Sequence, residues 1–175
     1  PIATMNTNTV NRAADTIRVL AASMVEKAKS GHPGGAMGGA DFVNVLYSQF
    51  MVTDPDDPTW IARDRFFLDP GHMSPMLYAV LALTGKYTVE ELKEFRQWGS
   101  VCPGHPEVDV ERGVENTSGP LGQGHTMAVG AQSLSGSCRH VSAMLSATRH
   151  MRSFLTGASR RKSRRAQGVS PVISG

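Results

Sequence analysis

Apolar residues at Ala14, Ile17, Leu20, Ala21, Met24 and Ala28 recur three and four positions apart, which predicts an amphipathic helix from Asn11 to Lys29. Lys27 and Lys29 lie near its C-terminal end, where positive charge suits the helix dipole, and Gly31 stops it. A glycine-rich turn follows, Gly31-His32-Pro33-Gly34-Gly35, and then a second helical pattern from Asp41 to Met51. Asp54-Pro55-Asp56-Asp57-Pro58 reads as loop, because its prolines and acidic residues favour turns over regular structure. Phe66-Phe67-Leu68 is short, apolar and bounded by turn residues, as a buried strand is. Met76 to Leu83 is helical and ends at Gly85. Thr88-Val89-Glu90-Glu91 forms a capping box that opens a helix carrying Leu92, Phe95 and Trp98. The pattern is α/β, with more helices than strands and no internal repeat.

Composition narrows this picture. Two cysteines, Cys102 and Cys138, make at most one bridge, so a disulfide scaffold is excluded. No apolar run approaches the ~20 residues of a membrane-spanning helix, and no basic-then-apolar signal segment opens the chain. The formal charge of +3 hides an asymmetry. Residues 1–131 hold 10 basic and 15 acidic side chains, whereas residues 132–175 hold 8 basic side chains, 10 serines and no acidic residue. The chain therefore has a mildly acidic body and a basic tail.

Histidine follows glycine at Gly31-His32, Gly71-His72, Gly104-His105 and Gly124-His125. The first three pairs fall in turns next to a helix or strand, where a rigid scaffold presents side chains to a ligand. Imidazole exchanges protons near neutral pH and hydrogen-bonds hydroxyls or phosphate. Each histidine taken singly also fits an ordinary turn. Zinc is discounted, since neither Cys-x-x-Cys nor His-Glu-x-x-His spacing occurs. Gly119-Pro120-Leu121-Gly122-Gln123-Gly124 is a second candidate, because closely spaced glycines let a ligand approach the main chain. A helix through Met127-Ala128-Val129 aims its N-terminus at this loop, which suits an anion. The spacing is neither the dinucleotide fingerprint nor a P-loop, and a plain turn explains the segment alone equally well.

Together the segments carry more. Lys27-Ala28-Lys29-Ser30-Gly31-His32-Pro33-Gly34, Asp64-Arg65-Phe66, Gly71-His72, Pro103-Gly104-His105-Pro106-Glu107 and Gly119-Pro120-Leu121-Gly122-Gln123-Gly124 resemble transketolase in order and spacing, from about Val10 to Ala131. The resemblance implies an α/β fold, the incomplete N-terminal domain that binds the diphosphate of thiamine diphosphate. It implies transfer of a two-carbon ketol unit from a ketose phosphate to an aldose phosphate, in the pentose phosphate pathway. By the same resemblance, His32 and His105 contact sugar hydroxyls and assist proton transfer. His72 sits by the cofactor's reactive end and diphosphate, and Gly119, Pro120 and Leu121 cradle the cofactor with their backbone. Mg²⁺ is a family expectation whose ligands are expected beyond the matched region. A cytoplasmic homodimer acting on sugar phosphates is implied, without a membrane partner. His125 stands where the motif often has an apolar residue and receives no role. A relative using the same cofactor, such as dihydroxyacetone synthase or deoxyxylulose phosphate synthase, is the alternative; the paired Ser30-Gly31-His32-Pro33-Gly34 and Pro103-Gly104-His105-Pro106 motifs favour transketolase over the latter.

The match begins a few residues after Met5, so Met5 is the expected start and Pro1 to Thr4 upstream read-through. Domain organisation is expected as 1–131, the N-terminal part of the cofactor-binding domain, and 132–175, a basic tail of non-native sequence. For the tail, a nucleic-acid patch around Arg160 to Arg165 and a solvated disordered segment compete with a slipped reading frame. If one nucleotide is missing near the Ala131 codon, Phe154 to Ala158 can be read as ISDGG and Ser159 to Gly175 as IQEEISQGAGRIAGHLG. That reading restores the Asp-Gly turn and accounts for the surplus of serine and arginine. A tail of this origin is expected to be disordered or loosely helical, a nucleic-acid partner is not expected, and the chain is expected to be an inactive fragment.

Overall fold

The computed structural model describes residues 7–135 and 142–146. Helix α1, Thr7–Ala28, is the predicted amphipathic helix begun four residues earlier, and it buries Ala14, Ile17, Ala21 and Met24. It is followed by α2, Pro33–Gly38, and α3, Ala40–Val45. The chain then widens into a π-helical turn over Leu46–Phe50, so the helix predicted from Asp41 to Met51 is present but changes pitch at its middle. The loop at Asp54 to Pro58 is as expected. The predicted strand is β1, Arg65–Asp69, buried along Phe66, Phe67, Leu68 and Asp69.

A 3₁₀ turn at Gly71–Met73 leads directly into α4, Ser74–Leu83. Every residue from Ser74 to Leu81 is buried, because α1, α2, α3 and α5 all pack around this helix. Helix α5, Val89–Lys93, opens with the predicted capping box, in which Thr88 and Glu91 satisfy each other's backbone N–H groups. It is shorter than the pattern implied. Arg96 adopts φ 62°, which breaks the helix, and its N–H donates to the Cys102 carbonyl at 3.0 Å. Leu92 and Phe95 reach the core as expected, but Trp98 lies beyond the break and is fully exposed.

Helix α6, Gln123–Ser135, starts earlier than the Met127 run suggested. It crosses to β2, Ser142–Ser146, which pairs parallel with β1, Arg65 opposite Ser142 and Asp69 opposite Ser146. Among the described residues the sheet is this pair, and α6 packs on both strands. Parallel neighbours require a crossover, and the α/β reading follows from that connection. The Ala131 boundary falls inside α6, and of the residues after it the structure describes 132–135, in α6, and 142–146, in β2. Met5 and the Arg160 to Arg165 cluster lie outside the described residues.

Candidate active site

The C-terminal end of β1 organises the site, as strand ends do in parallel α/β folds. His72 lies in the 3₁₀ turn directly after β1, and His32 is the residue immediately before Pro33, the first residue of α2. Their rings stand 5.0 Å apart between centroids, tilted by 55°. Proline suits that first helical position because its missing N–H would have no helical partner there. Gly31, at φ 134°, allows the turn that presents His32, and a Cβ there would press on Val25 at 3.1 Å.

His105 approaches from the loop after α5. A Cβ at Gly71 would lie 3.0 Å from His105 Cδ2 and 2.8 Å from Ser118 Oγ, so the glycine is what lets the two loops close on the His72 turn. The His105 loop is held from below by α4. Ser74 Oγ donates to the Gly104 carbonyl at 2.7 Å, and the Tyr78 hydroxyl donates to the Pro103 carbonyl at 2.8 Å. Burial, with Tyr87, Cys102 and Glu107 nearby, keeps the Tyr78 phenol protonated and available as that donor. Arg96 fastens the same loop sideways, donating to Ser30 Oγ at 2.7 Å while its Nε occupies the space a Cβ at Gly104 would need.

The Gly119-Pro120-Leu121 segment reaches the same end of β1 through Asn116. This buried carboxamide accepts from Leu68 N–H at 2.9 Å and donates to the Leu68 carbonyl at 3.3 Å, taking the place of a neighbouring strand. Ser118 N–H then donates to the Pro106 carbonyl at 3.0 Å, joining this segment to the His105 loop. Pro120 and Leu121 are exposed, and a Cβ built at Gly119 or Gly122 meets nothing within 4 Å. The main chain here is open to close approach. Ser118 Oγ is buried beside Gly71 and His105 without a hydrogen-bond partner.

Three of the predicted features are therefore one site. His32 and His105 are exposed, and His72 is half-buried between them. Burial holds the His72 imidazole below the usual histidine range, His32 and His105 push the same way, and Asp69 opposes them. Such a group favours its neutral form, able to accept a proton or a hydrogen bond. The helix-end expectation needs correction. The first turn of α6 does not offer its amides to a ligand at Gly122 and His125, because both N–H groups donate to Asp69, at 3.2 and 3.3 Å. The anion at this helix end is the chain's own carboxylate.

Residues 9–145 match the family of the transketolase thiamine diphosphate binding domain. The chain belongs to the transketolase family. The match passes the Ala131 boundary and reaches into β2. The transketolase of Halalkalibacterium halodurans is 55% identical over 119 residues, which is 67% of this chain and 18% of that protein. Among solved structures, the transketolase from Campylobacter jejuni superposes with a TM-score of 0.67 at 48% identity, covering 72% of this chain and 20% of that one. A transketolase from Pichia stipitis in complex with sedoheptulose 7-phosphate superposes with a TM-score of 0.69 at 40% identity, covering 77% and 21%. The chain thus spans about a fifth of the length of the transketolases it matches.

Sequence reasoning singled out the histidines and the glycine loop. It missed Asp69, Asn116, Arg96, Ser74 and Tyr78, which hold them in place. Only Asp69 carried a local signal, as an acidic residue ending an apolar strand two positions before a Gly-His pair. An apolar cleft lined by Tyr47, Met51, Arg63, Phe66, Leu81 and Glu115 lies near the start of β1 and contains none of the predicted site residues. There Arg63 and Glu115 pair through two part-buried bonds, at 2.8 and 3.0 Å.

Proposed function

We propose that this chain supplies one wall of a thiamine diphosphate-dependent ketol-transfer site acting on sugar phosphates. The observation that carries the reading is the convergence of His32, His72 and His105 beside the open main chain of Gly119 to Leu121. When bound, the cofactor supplies a carbanion that adds to a carbonyl and then holds the electrons of the broken carbon–carbon bond. The residues present fit such a group. Bare backbone at Gly119 to Leu121 accepts a flat ring closely, and the unpartnered Ser118 Oγ and the His72 imidazole offer polar contacts at the adjoining end. His72 is assigned to the reactive end and diphosphate, and Gly119, Pro120 and Leu121 to the cradle.

His32 and His105 are assigned to the substrate. Both rings are exposed at the rim, where an imidazole can hold a sugar hydroxyl and assist its proton transfer. The sedoheptulose 7-phosphate complex of the Pichia stipitis relative supports a sugar phosphate as substrate. Among the described residues, no group of three or more His, Cys, Asp and Glu side chains is arranged to hold a metal ion. Mg²⁺ belongs to the same proposal as a family expectation, with its ligands expected after about Ala131. A homodimer working in the cytoplasmic pentose phosphate pathway belongs to the same proposal. No helix among the described residues is long and apolar enough to cross a membrane.

The 175 residues alone are expected to be inactive, and a shifted frame after about Ala131 is proposed as the origin of the basic tail. Sequencing the DNA around that codon tests the second point directly. Calorimetric titration of the chain with thiamine diphosphate, beside His72→Gln, tests the site. Saturable binding weakened about tenfold or more by the substitution is expected, as for a lost polar contact. Equal binding by both proteins refutes the assignment of His72. Turnover of a ketose phosphate by the purified chain refutes its inactivity.

A further inference from the structure

Asp69 ends β1 only 6% exposed, and each of its carboxylate oxygens has one amide donor from the start of α6 or the residue before it. Gly122 N–H donates to Oδ1 and His125 N–H to Oδ2. The approach that permits this is close. A Cβ at Gly124 would lie 2.4 Å from the Leu68 carbonyl oxygen and 3.0 Å from Asp69 Cβ, so the helix rests directly on the strand end. Three residues after Asp69 the chain presents His72. The charged and titratable groups acting on that ring are His32 from the start of α2, His105 from the loop after α5, and Asp69 from β1. Asp69 is the negative one.

We propose that Asp69 is a positioning residue: its carboxylate ties the first turn of α6, and the Gly119 to Gly122 loop with it, to the His72 turn, and so fixes a negative charge three residues before that imidazole. The helix end is what makes a buried carboxylate tolerable there, since two amides and the positive end of the helix dipole stabilise the charge. The same carboxylate opposes burial and the two neighbouring imidazoles, all of which drive His72 toward the neutral form. Loop position and imidazole charge are thereby coupled through one side chain. The functional consequence rests on the assignment of His72 to the cofactor's diphosphate, where a protonated ring binds an anion best.

The test follows the His72 ring resonance by NMR from about pH 5 to pH 8, across the ordinary histidine range, in the 175-residue chain. Asp69→Asn and Asp69→Ser are measured beside it, with His72→Gln to identify the signal. Both Asp69 variants should lower the His72 midpoint by about half a unit or more, as loss of a nearby opposite charge does. Amide exchange at Gly122 and His125 should quicken in both. Asn116→Ala, which loosens the same strand end without changing charge, should leave the midpoint in place; this separates the charge effect from simple loosening. If Asp69→Asn fails to fold, Asp69→Ser, which leaves more room, carries the measurement. A His72 midpoint unchanged in the folded variants, or Gly122 and His125 amides exchanging as slowly as before, overturns the proposal. Repeating the titration with thiamine diphosphate separates the two readings. A parent His72 signal indifferent to the cofactor sinks the diphosphate assignment, while the Asp69 effect on the free chain stands or falls by itself.

Discussion

Gly124→Ala tests whether the contact between α6 and β1 is as close as described. The added Cβ would lie 2.4 Å from the Leu68 carbonyl oxygen, a backbone atom that cannot rotate away. A carbon and an oxygen rest no closer than about 3.3 Å, so the helix must retreat by about 0.9 Å. The bonds from Gly122 and His125 to Asp69, already 3.2 and 3.3 Å long, would then stretch past useful length. Hydrogen bonds to a charged group contribute about 1.5 kcal/mol each at the weak end, so losing both costs about 3 kcal/mol. Alanine returns at most about 1 kcal/mol through its helix propensity. The net loss is about 2 kcal/mol, which lowers the midpoint of urea unfolding by about 1 M at a typical slope. Gly130→Ala is the matched control, in the same helix but with nothing within 4 Å of the new Cβ. It should raise the midpoint, because only the propensity term applies. If both alanines shift stability upward alike, the close packing of α6 on β1 is wrong.

Three further outcomes follow from the same geometry. Asn116→Ala strips the buried Leu68 N–H and carbonyl of their partners. It should cost about 2–4 kcal/mol in urea unfolding, with faster amide exchange at Leu68, and a loss under about 0.5 kcal/mol would contradict the strand-substitute role. His72 binds protons less readily folded than unfolded. Its contribution to stability is therefore present above the unfolded value of about 6.5 and is lost as pH falls through the lower folded one, so His72→Gln should flatten the acid side of a stability-versus-pH curve. Burial, reinforced by Glu91 and opposed by Arg112, pushes the free Cys102 thiol up to about 12. Peptide mapping after alkylation at mildly alkaline pH should find Cys102 unmodified until denaturant is added; rapid labelling of the native chain would refute its burial.

Much of the fold was legible along the chain because it rests on local rules. The three-and-four spacing of α1, the apolar β1 and the capping box of α5 each follow from a few neighbouring residues, and each is present. The motifs also determined family membership, since their order along the chain survives without any knowledge of contacts. Boundaries were less legible. α5 ends early because Arg96 turns left-handed to meet Cys102, a partner six residues on that no helical pattern reveals. β2 was not anticipated, because its apolar run signals a strand only when β1 stands beside it.

The candidate site divides the same way. The sequence by itself determined which side chains can do chemistry: three histidines after glycine, and a loop whose glycines leave the main chain bare. Only the tertiary structure decided that these residues share one end of one strand. It also decided that Asp69 claims the helix amides an outside anion was expected to take. The reason is physical. Chemical capability is a property of a residue, but availability depends on which donors and acceptors the folded chain has already paired, and Asp69 and His125 lie 56 positions apart before folding brings them together.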